Sequence, residues 1–139
     1  MDRLEETAEK IRKLGVRSAA IELDVTKQDS VQRMVEKVEK DFGRVDILVN
    51  NSGTAWGASP ESAKLEDWNR VIQTNLIEAF LCSQQVGKIM IKQKSGKIIN
   101  ISSMAGMLSS SGELLDAISY SASKGALNAL TRDLAVKWA

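Results

Sequence analysis

The feature that most constrains the fold is a regular alternation of amphipathic helical segments with short apolar runs. Four segments carry apolar residues at helical spacing, and their predicted ranges are 3–14, 30–42, 65–93 and 117–138. Three apolar runs between them are predicted strands, at 17–25, 45–51 and 95–103. Because a strand that is apolar on both sides must be covered on both sides, this order predicts a parallel sheet with helices on its faces.

Composition narrows the class of protein. The 139 residues fit one domain, and 19 basic against 18 acidic residues give a net charge of +1, which favours neither nucleic acid nor an anionic membrane as a partner. No apolar run is long enough to span a bilayer. The charged N-terminus is unlike a secretory signal and the single Cys82 suits a reducing compartment, so we expect a cytoplasmic protein. With no histidine in the chain, we expect no metal site.

Polar residues follow each predicted strand. Asp24 lies at the end of the first, the stretch NNSG at 50–53 follows the second, and Ser102 and Ser103 close the third. In parallel sheets of this kind, ligands bind in the crevice beyond the carboxyl ends of the strands. The sequence therefore predicts a polar site at one edge of the sheet.

Tyr120 and Lys124 are candidates for proton chemistry. They stand four residues apart in the stretch ISYSASKGAL, and on a helix this spacing makes their side chains neighbours. An ammonium group beside a phenol favours the phenolate, as proton exchange with a carbonyl–alcohol couple requires. A lysine also falls at this spacing by chance, so the pair alone decides nothing.

Four further positions could belong to such a site, although each has an ordinary structural explanation. Ser103 could hold a substrate oxygen or merely turn the chain. Gly53 could let the backbone approach a ligand closely, or simply serve a strand-to-loop turn. Asp24 could accept from an adenine amino group or cap the next helix. Asn75 stands among apolar residues, where we expect the helix to be interrupted, and could bind a water or a carbonyl or tolerate exposure.

Five ordered stretches together resemble the short-chain dehydrogenase/reductase family, and the resemblance covers essentially the whole chain. The stretches are LDVT, VDILVNNSG, DWNRVIQTNL, GKIINISSMAG and YSASK. The family usually has NNAG where this chain has NNSG, so Ser52 replaces an alanine. Within the family, the stretches around NNSG and between Ser103 and Tyr120 are most similar to gluconate 5-dehydrogenase-like and 3-oxoacyl-carrier-protein reductase-like members.

The resemblance implies hydride transfer between NAD or NADP and a carbonyl or alcohol substrate. Tyr120 would be the general acid/base, and Lys124 would favour its phenolate and bind the nicotinamide ribose. Ser103 would polarise the substrate oxygen, and Asn75 would help to hold a proton-relay water. The residues implied to contact the cofactor are Asp24, Val25, Asn51, Gly53, Tyr120 and Lys124.

The resemblance also implies a doubly wound, Rossmann-type α/β fold that is incomplete. The family's glycine-rich phosphate-binding fingerprint does not occur in these 139 residues. The three predicted strands correspond to strands three, four and five of the family, so residues 1–139 would form a single partial domain. Because strands one and two would sit between the strand at 17–25 and the one at 45–51, we expect the chain alone to be poorly stable and not catalytically competent.

Two interpretations of function follow from the family. The first is an NAD(P)-dependent oxidoreductase acting on a small-molecule carbonyl or alcohol. The alternative is a truncated, non-catalytic remnant of such an enzyme that folds or self-associates without turnover. In either case the family implies a homo-oligomer, a dimer or tetramer, formed through the helices at 65–93 and 117–138.

Overall fold

The computed structural model describes residues 2–25, 27–109 and 116–139. It contains five α-helices and two strands: α1 Asp2–Arg12, α2 Gln28–Phe42, β1 Ile47–Asn50, α3 Leu65–Ile72, α4 Glu78–Gln93, β2 Lys97–Asn100 and α5 Ile118–Lys137. A π-helical turn, Gln73–Ile77, joins α3 to α4, and a 3₁₀ turn, Met104–Gly106, follows β2. The stretch between the 3₁₀ turn and α5 lies partly outside the described residues.

The two strands pair in parallel, as the sequence predicts. Leu48 pairs with Ile98 and Asn50 with Asn100. Parallel neighbours require a crossover connection, and the long helical segment from α3 to α4 supplies it. The carboxyl ends of both strands therefore meet at one edge.

The predicted strand at 17–25 is wrong, because this segment forms neither helix nor strand. A strand exists only where a neighbouring backbone accepts and donates its hydrogen bonds. Within the described part of the chain, the sheet has two strands, and they pair with each other. Apolar composition alone therefore does not make residues 17–25 a strand.

The core lies on one face of the sheet. Val35 of α2 and three residues of α4 form its buried centre, with Leu48 and Ile98 of the strands packed against it; the α4 residues are Val86, Ile89 and Met90. The prediction that the strands are buried on both faces is wrong. Val49 is 52% exposed and Ile99 is 46% exposed, because α2 and α4 cover only the face that carries Leu48 and Ile98.

The long helix predicted at 65–93 is interrupted near Asn75, as expected. The interruption is the π turn, where Glu78 N–H bonds to the carbonyl oxygen of Gln73. A π turn adds one residue to a helical turn and is often found at functional sites. None of the helices in the described part of the chain has the length and apolar character that a bilayer crossing demands.

Candidate functional site

The carboxyl ends of the two strands are joined by a pair of asparagines. Asn50 Nδ2 donates to Asn100 Oδ1 at 2.7 Å and to Ser83 Oγ of α4 at 3.1 Å. Asn100 Nδ2 in turn donates to Thr131 Oγ1 of α5 at 2.9 Å. This ladder fixes both flanking helices to the edge of the sheet. Asn50 belongs to the NNSG stretch of the predicted polar site, whereas Asn100 was not predicted, although it also stands at the end of an apolar run.

Asn75 ties the loop after β1 to the helices. It is 2% exposed in the π turn. Its Oδ1 accepts from Thr54 N–H at 2.8 Å, and its Nδ2 donates to Thr54 O and to Ser123 Oγ of α5, both at 2.9 Å. A buried amide needs such partners because leaving it unpaired costs free energy. Asn75 thus holds the loop backbone beside α5.

Lys124 is a buried cation beside Tyr120. It is 4% exposed, and its Nζ donates at 2.7 Å to the carbonyl oxygen of Ile101, just beyond β2. The same Nζ lies 5.7 Å from the centroid of the Tyr120 ring. The structure therefore places the two side chains side by side on α5, as their spacing predicts.

Gly53 is the point at which these groups converge. A Cβ atom at this position would lie 3.7 Å from Asn75 Oδ1 and 3.8 Å from Lys124 Nζ. The loop backbone therefore passes directly over both polar atoms. Gly53 and Asn51, two residues before it, are exposed, so this backbone is open to a ligand.

Ser103 has the turn-forming role that was one of the two explanations its sequence position left open. Its Oγ accepts from Ala105 N–H at 3.2 Å and so caps the 3₁₀ turn. A hydroxyl that accepts one hydrogen bond can still donate another. The turn is seated on α5, because a Cβ atom at Gly106 would lie only 2.6 Å from the carbonyl carbon of Lys124. Gly106 is thus a residue that the sequence analysis missed.

Asp24 and Val25 lie just before α2. The Asp24 N–H donates to Ser30 Oγ at 3.0 Å, and the Asp24 carboxylate pairs with Lys27 Nζ at 3.1 Å. Lys27 and not Asp24 is the N-cap of α2, so the structure does not bear out the helix-cap explanation considered for Asp24. The described contacts therefore gather Asn75, Gly53, Tyr120 and Lys124 in one cluster and place Asp24 and Val25 beside α2.

Two buried titratable residues in α4 were not predicted. Burial raises the pKa of the Glu78 carboxyl, and a hydrogen bond with Ser52 lowers it in part. Burial, with a smaller contribution from Glu78, raises the pKa of the Cys82 thiol to about 11. Cys82 is therefore a neutral, unreactive thiol at physiological pH, and a thiolate mechanism is not supported.

The cluster offers the donor set that a ribose needs. A buried ammonium, exposed backbone and amide groups converge beside Gly53, and hydroxyl groups of a sugar bind such donors and acceptors. A dinucleotide also needs a site for its phosphates, usually a glycine-rich turn at a helix N-terminus. The residues present thus fit the ribose part of a dinucleotide.

Known proteins resemble this chain over most of its length. A family model described as short chain dehydrogenase matches residues 1–139. A 3-oxoacyl-[acyl-carrier-protein] reductase of Synechocystis is 40% identical over 121 residues, which are 87% of this chain and 47% of that protein. A 5-keto-D-gluconate 5-reductase of Escherichia coli is 38% identical over 139 residues, which are 99% of this chain and 53% of that protein.

Solved structures agree with this result. A gluconate 5-dehydrogenase from Burkholderia cenocepacia, in complex with NADP and tartrate, superposes with a TM-score of 0.88 at 31% identity. The match covers 96% of this chain and 51% of that one. It confirms the predicted fold class, of which this chain holds a part. The chain spans about half the length of the curated relatives that it matches.

Proposed function

Because the chain belongs to the short-chain dehydrogenase family, as its ordered motifs predicted, we propose that it carries the catalytic portion of an NAD(P)-dependent oxidoreductase. The reaction interconverts a carbonyl and an alcohol. The observation that carries this proposal is the cluster at Gly53, where the buried Lys124 and Asn75 meet the loop after β1 and Tyr120 lies beside Lys124. The proposal thereby puts a proton donor beside a surface suited to a sugar.

The roles of the side chains follow from their chemistry. Tyr120 Oη donates a proton to the carbonyl oxygen in reduction and accepts it from the alcohol in oxidation. The charge on Lys124 favours the phenolate left after donation. The Ser103 hydroxyl donates a hydrogen bond to the same substrate oxygen. Asn75 keeps the loop and α5 in register through its bonds to Thr54 and Ser123.

The cofactor is NAD or NADP, and when bound it supplies or takes up the hydride. Lys124 Nζ binds the nicotinamide ribose, and the backbone at Asn51 and Gly53 lines the adenosine side. Asp24 and Val25 border the adenine. The NADP complex of the Burkholderia relative supports this class of cofactor.

The substrate is a small carbonyl or alcohol compound. One relative named above reduces a 3-oxoacyl group and the other reduces a keto-gluconate. Both substrates are therefore ketones with polar neighbouring groups. We further infer a cytoplasmic homo-oligomer, formed through the segment from α3 to α4 and through α5. The buried, unpaired Cys82 is consistent with a reducing compartment.

Cofactor binding tests the proposal directly. The purified 139-residue chain is titrated with NADH and with NADPH, with nucleotide fluorescence as the readout. Saturable binding of one of them would support the proposal and overturn the expectation that the chain alone is not competent. Lys124→Ala should weaken it about tenfold or more, because a charge-assisted hydrogen bond is lost. In a chain that turns over a small ketone, Tyr120→Phe should retain binding but lower turnover by about 10²–10⁴-fold.

The matched control is Lys137→Ala, which removes an exposed lysine from the same helix. It should leave binding unchanged. A folded chain that binds neither nucleotide would contradict the proposal for this chain. Equal loss in Lys124→Ala and Lys137→Ala would show that binding depends on general charge and not on the cluster.

One observation favours the alternative of a non-catalytic remnant. The sheet face that carries Val49 and Ile99 is exposed, and this apolar surface is suited to association. In that case the chain forms oligomers in sedimentation experiments yet binds no nucleotide. Nucleotide binding with turnover would rule the remnant out.

A further inference from the structure

Ser123 stands between Tyr120 and Lys124 on α5, and its side chain is fully buried. The residue is 0% exposed. Its Oγ accepts from Asn75 Nδ2 at 2.9 Å and donates to the carbonyl oxygen of Tyr120 at 2.7 Å. A serine hydroxyl has one hydrogen to donate, and here the Tyr120 carbonyl receives it. The hydroxyl is therefore oriented, with Asn75 on one side and the Tyr120 backbone on the other.

These bonds form a continuous path from the loop after β1 to the backbone of Tyr120. Asn75 binds both the N–H and the carbonyl oxygen of Thr54, and its Nδ2 also donates to Ser123 Oγ. An amide nitrogen carries two hydrogens, so both are used. Removing the Ser123 hydroxyl would leave one of them unpaired in a buried place, which is unfavourable. Among the described hydrogen bonds, Ser123 is thus the link from Asn75 to α5.

The same loop is attached a second time, just ahead of Tyr120 in the chain. Ala58 N–H donates at 2.8 Å to the carbonyl oxygen of Asp116, and Ala58 pairs with Ala117 in an isolated parallel bridge. Tyr120 therefore lies between two attachments to the loop after β1. The one before it is made by backbone atoms, whereas the one after it depends on the side chain of Ser123.

A simpler explanation of Ser123 is a local one. A serine within a helix commonly donates to a carbonyl one turn back, and that bond alone would concern only its own helix. At Ser123, however, the same oxygen also accepts from Asn75, which lies 48 residues away in the chain. The carbonyl of Tyr120 is therefore tied to the π turn as well as to α5.

We propose that Ser123 is a positioning residue, which joins Asn75 to the Tyr120 backbone and thereby keeps the phenol ring beside Lys124. This inference rests on the proposed function, in which Tyr120 exchanges the proton. Lys124 Nζ is held separately by its bond to the carbonyl oxygen of Ile101. Without the Ser123 hydroxyl, the turn of α5 that carries Tyr120 shifts relative to this fixed ammonium. The distance of 5.7 Å between Nζ and the ring centroid is then no longer maintained.

The first test observes Tyr120 directly and requires no nucleotide. Tyr120 is the single tyrosine of the sequence, so ring-labelled tyrosine gives one set of NMR signals. In the wild type, the ring protons should show a nuclear Overhauser contact with the side chain of Lys124. Ser123→Ala should shift the ring signals and weaken or abolish this contact. The matched control is Ser121→Ala, which removes a half-buried hydroxyl from the same turn and should keep the wild-type spectrum.

A second variant covers the case in which Ser123→Ala does not fold. Ser123→Cys fills the same place with a thiol, which is a weak donor and a weak acceptor. It should weaken the contact between Tyr120 and Lys124 in the same direction. The side-chain amide signals of Asn75 should also shift in either variant, because one Nδ2 hydrogen loses its acceptor.

The third measurement separates positioning from stability. In a chain that turns over a small ketone, Ser123→Ala should lower kcat by about 10–10²-fold, because the proton donor is misplaced. The dissociation constant of the nucleotide should stay close to the wild-type value, since Asn75 still holds Thr54 through two bonds. A residue that only stabilised the fold would lower Tm without this difference between kcat and binding.

The outcomes separate the two proposals. If the wild type binds no nucleotide but Ser123→Ala loses the contact between Tyr120 and Lys124, the proposed function fails and the positioning role stands. If nucleotide binds and that contact is the same in the wild type and in Ser123→Ala, the positioning role is overturned and the function stands. Equal changes in Ser123→Ala and Ser121→Ala also overturn the positioning role.

Discussion

Asn75 and Glu78 stand three residues apart, yet only Asn75 could be predicted from the sequence as a site residue. An amide among apolar helical residues needs a partner, and the structure supplies Thr54 and Ser123. A glutamate in the first turn of a helix is ordinarily a solvated residue that interacts well with the helix dipole. The burial of Glu78 therefore cannot be predicted from the residues around it in the sequence. The one sequence feature that pointed to this region was Ser52, where NNSG departs from NNAG.

Replacing Glu78 by glutamine is expected to change how stability depends on pH. Burial raises the pKa of Glu78 in the folded chain above its unfolded value, so the folded chain binds this proton more tightly. The stabilisation is complete below the unfolded pKa and is lost as the pH rises through the folded pKa. Calorimetric Tm values from about pH 4 to about pH 8 should therefore fall in the wild type relative to Glu78→Gln.

The exposed Glu66→Gln variant provides the reference for that experiment. Its Tm should follow the wild-type curve throughout. Parallel curves for the wild type and Glu78→Gln would mean that the Glu78 carboxyl titrates alike in the folded and unfolded chain.

At the scale of elements, helices were predictable and strands only in part. The periodicity that identifies a helix is local, so α2 and α5 begin and end within a few residues of the predicted ranges. The interruption at Asn75 was predictable for the same reason. A strand depends on a neighbouring strand that the local sequence does not contain. The strand predicted at 45–51 has such a neighbour and forms, whereas the one predicted at 17–25 does not form.

The seating of the 3₁₀ turn on α5 is expected to depend on Gly106. A methyl group there would lie 2.6 Å from the carbonyl carbon of Lys124 and 2.8 Å from the backbone nitrogen of Gly125, and backbone atoms cannot yield. Gly106→Ala should lower the free energy of unfolding by about 1–3 kcal/mol, the usual cost of overpacking. Urea denaturation measures this change.

Gly57→Ala is the matched control for that prediction. Its added Cβ would meet its nearest described neighbour, the carbonyl oxygen of Asp116, at 3.4 Å. It should therefore cost clearly less than Gly106→Ala. Equal stability of Gly106→Ala and the wild type would show that the turn can leave α5 freely.

At the scale of the whole molecule, the dominant feature is a sheet with one covered face. Ile47, Val49, Ile99 and Ile101 are each more than two-fifths exposed on described strands or directly after them. The sequence predicted a sheet covered on both sides because its strands are apolar on both sides. That pattern does not show whether the chain has helices to cover both faces. Contiguous apolar surface of this kind promotes association.

The exposed sheet face is expected to drive self-association of the chain. Analytical ultracentrifugation should show a sedimentation coefficient that increases with wild-type concentration. The double variant Val49→Thr/Ile99→Thr keeps β-branched residues in both strands but makes the face more polar, so this dependence should weaken. Leu14→Thr, at an exposed position outside the strands and outside the helices proposed for the oligomer, should behave like the wild type. A wild type that stays monomeric, or equal effects of both changes, would contradict the prediction.

The π turn has a consequence for the angular phase of the helices that it joins. One inserted residue rotates everything beyond it by about 100° around the helix axis. With that rotation, α3 contacts α5 while α4 contacts α2 and both strands. Removing one residue from 73–77 would restore a continuous helix and turn one of its halves away from its neighbours. The single extra residue therefore allows one continuous helical segment to pack against α5 through its first half and against α2 and the sheet through its second half.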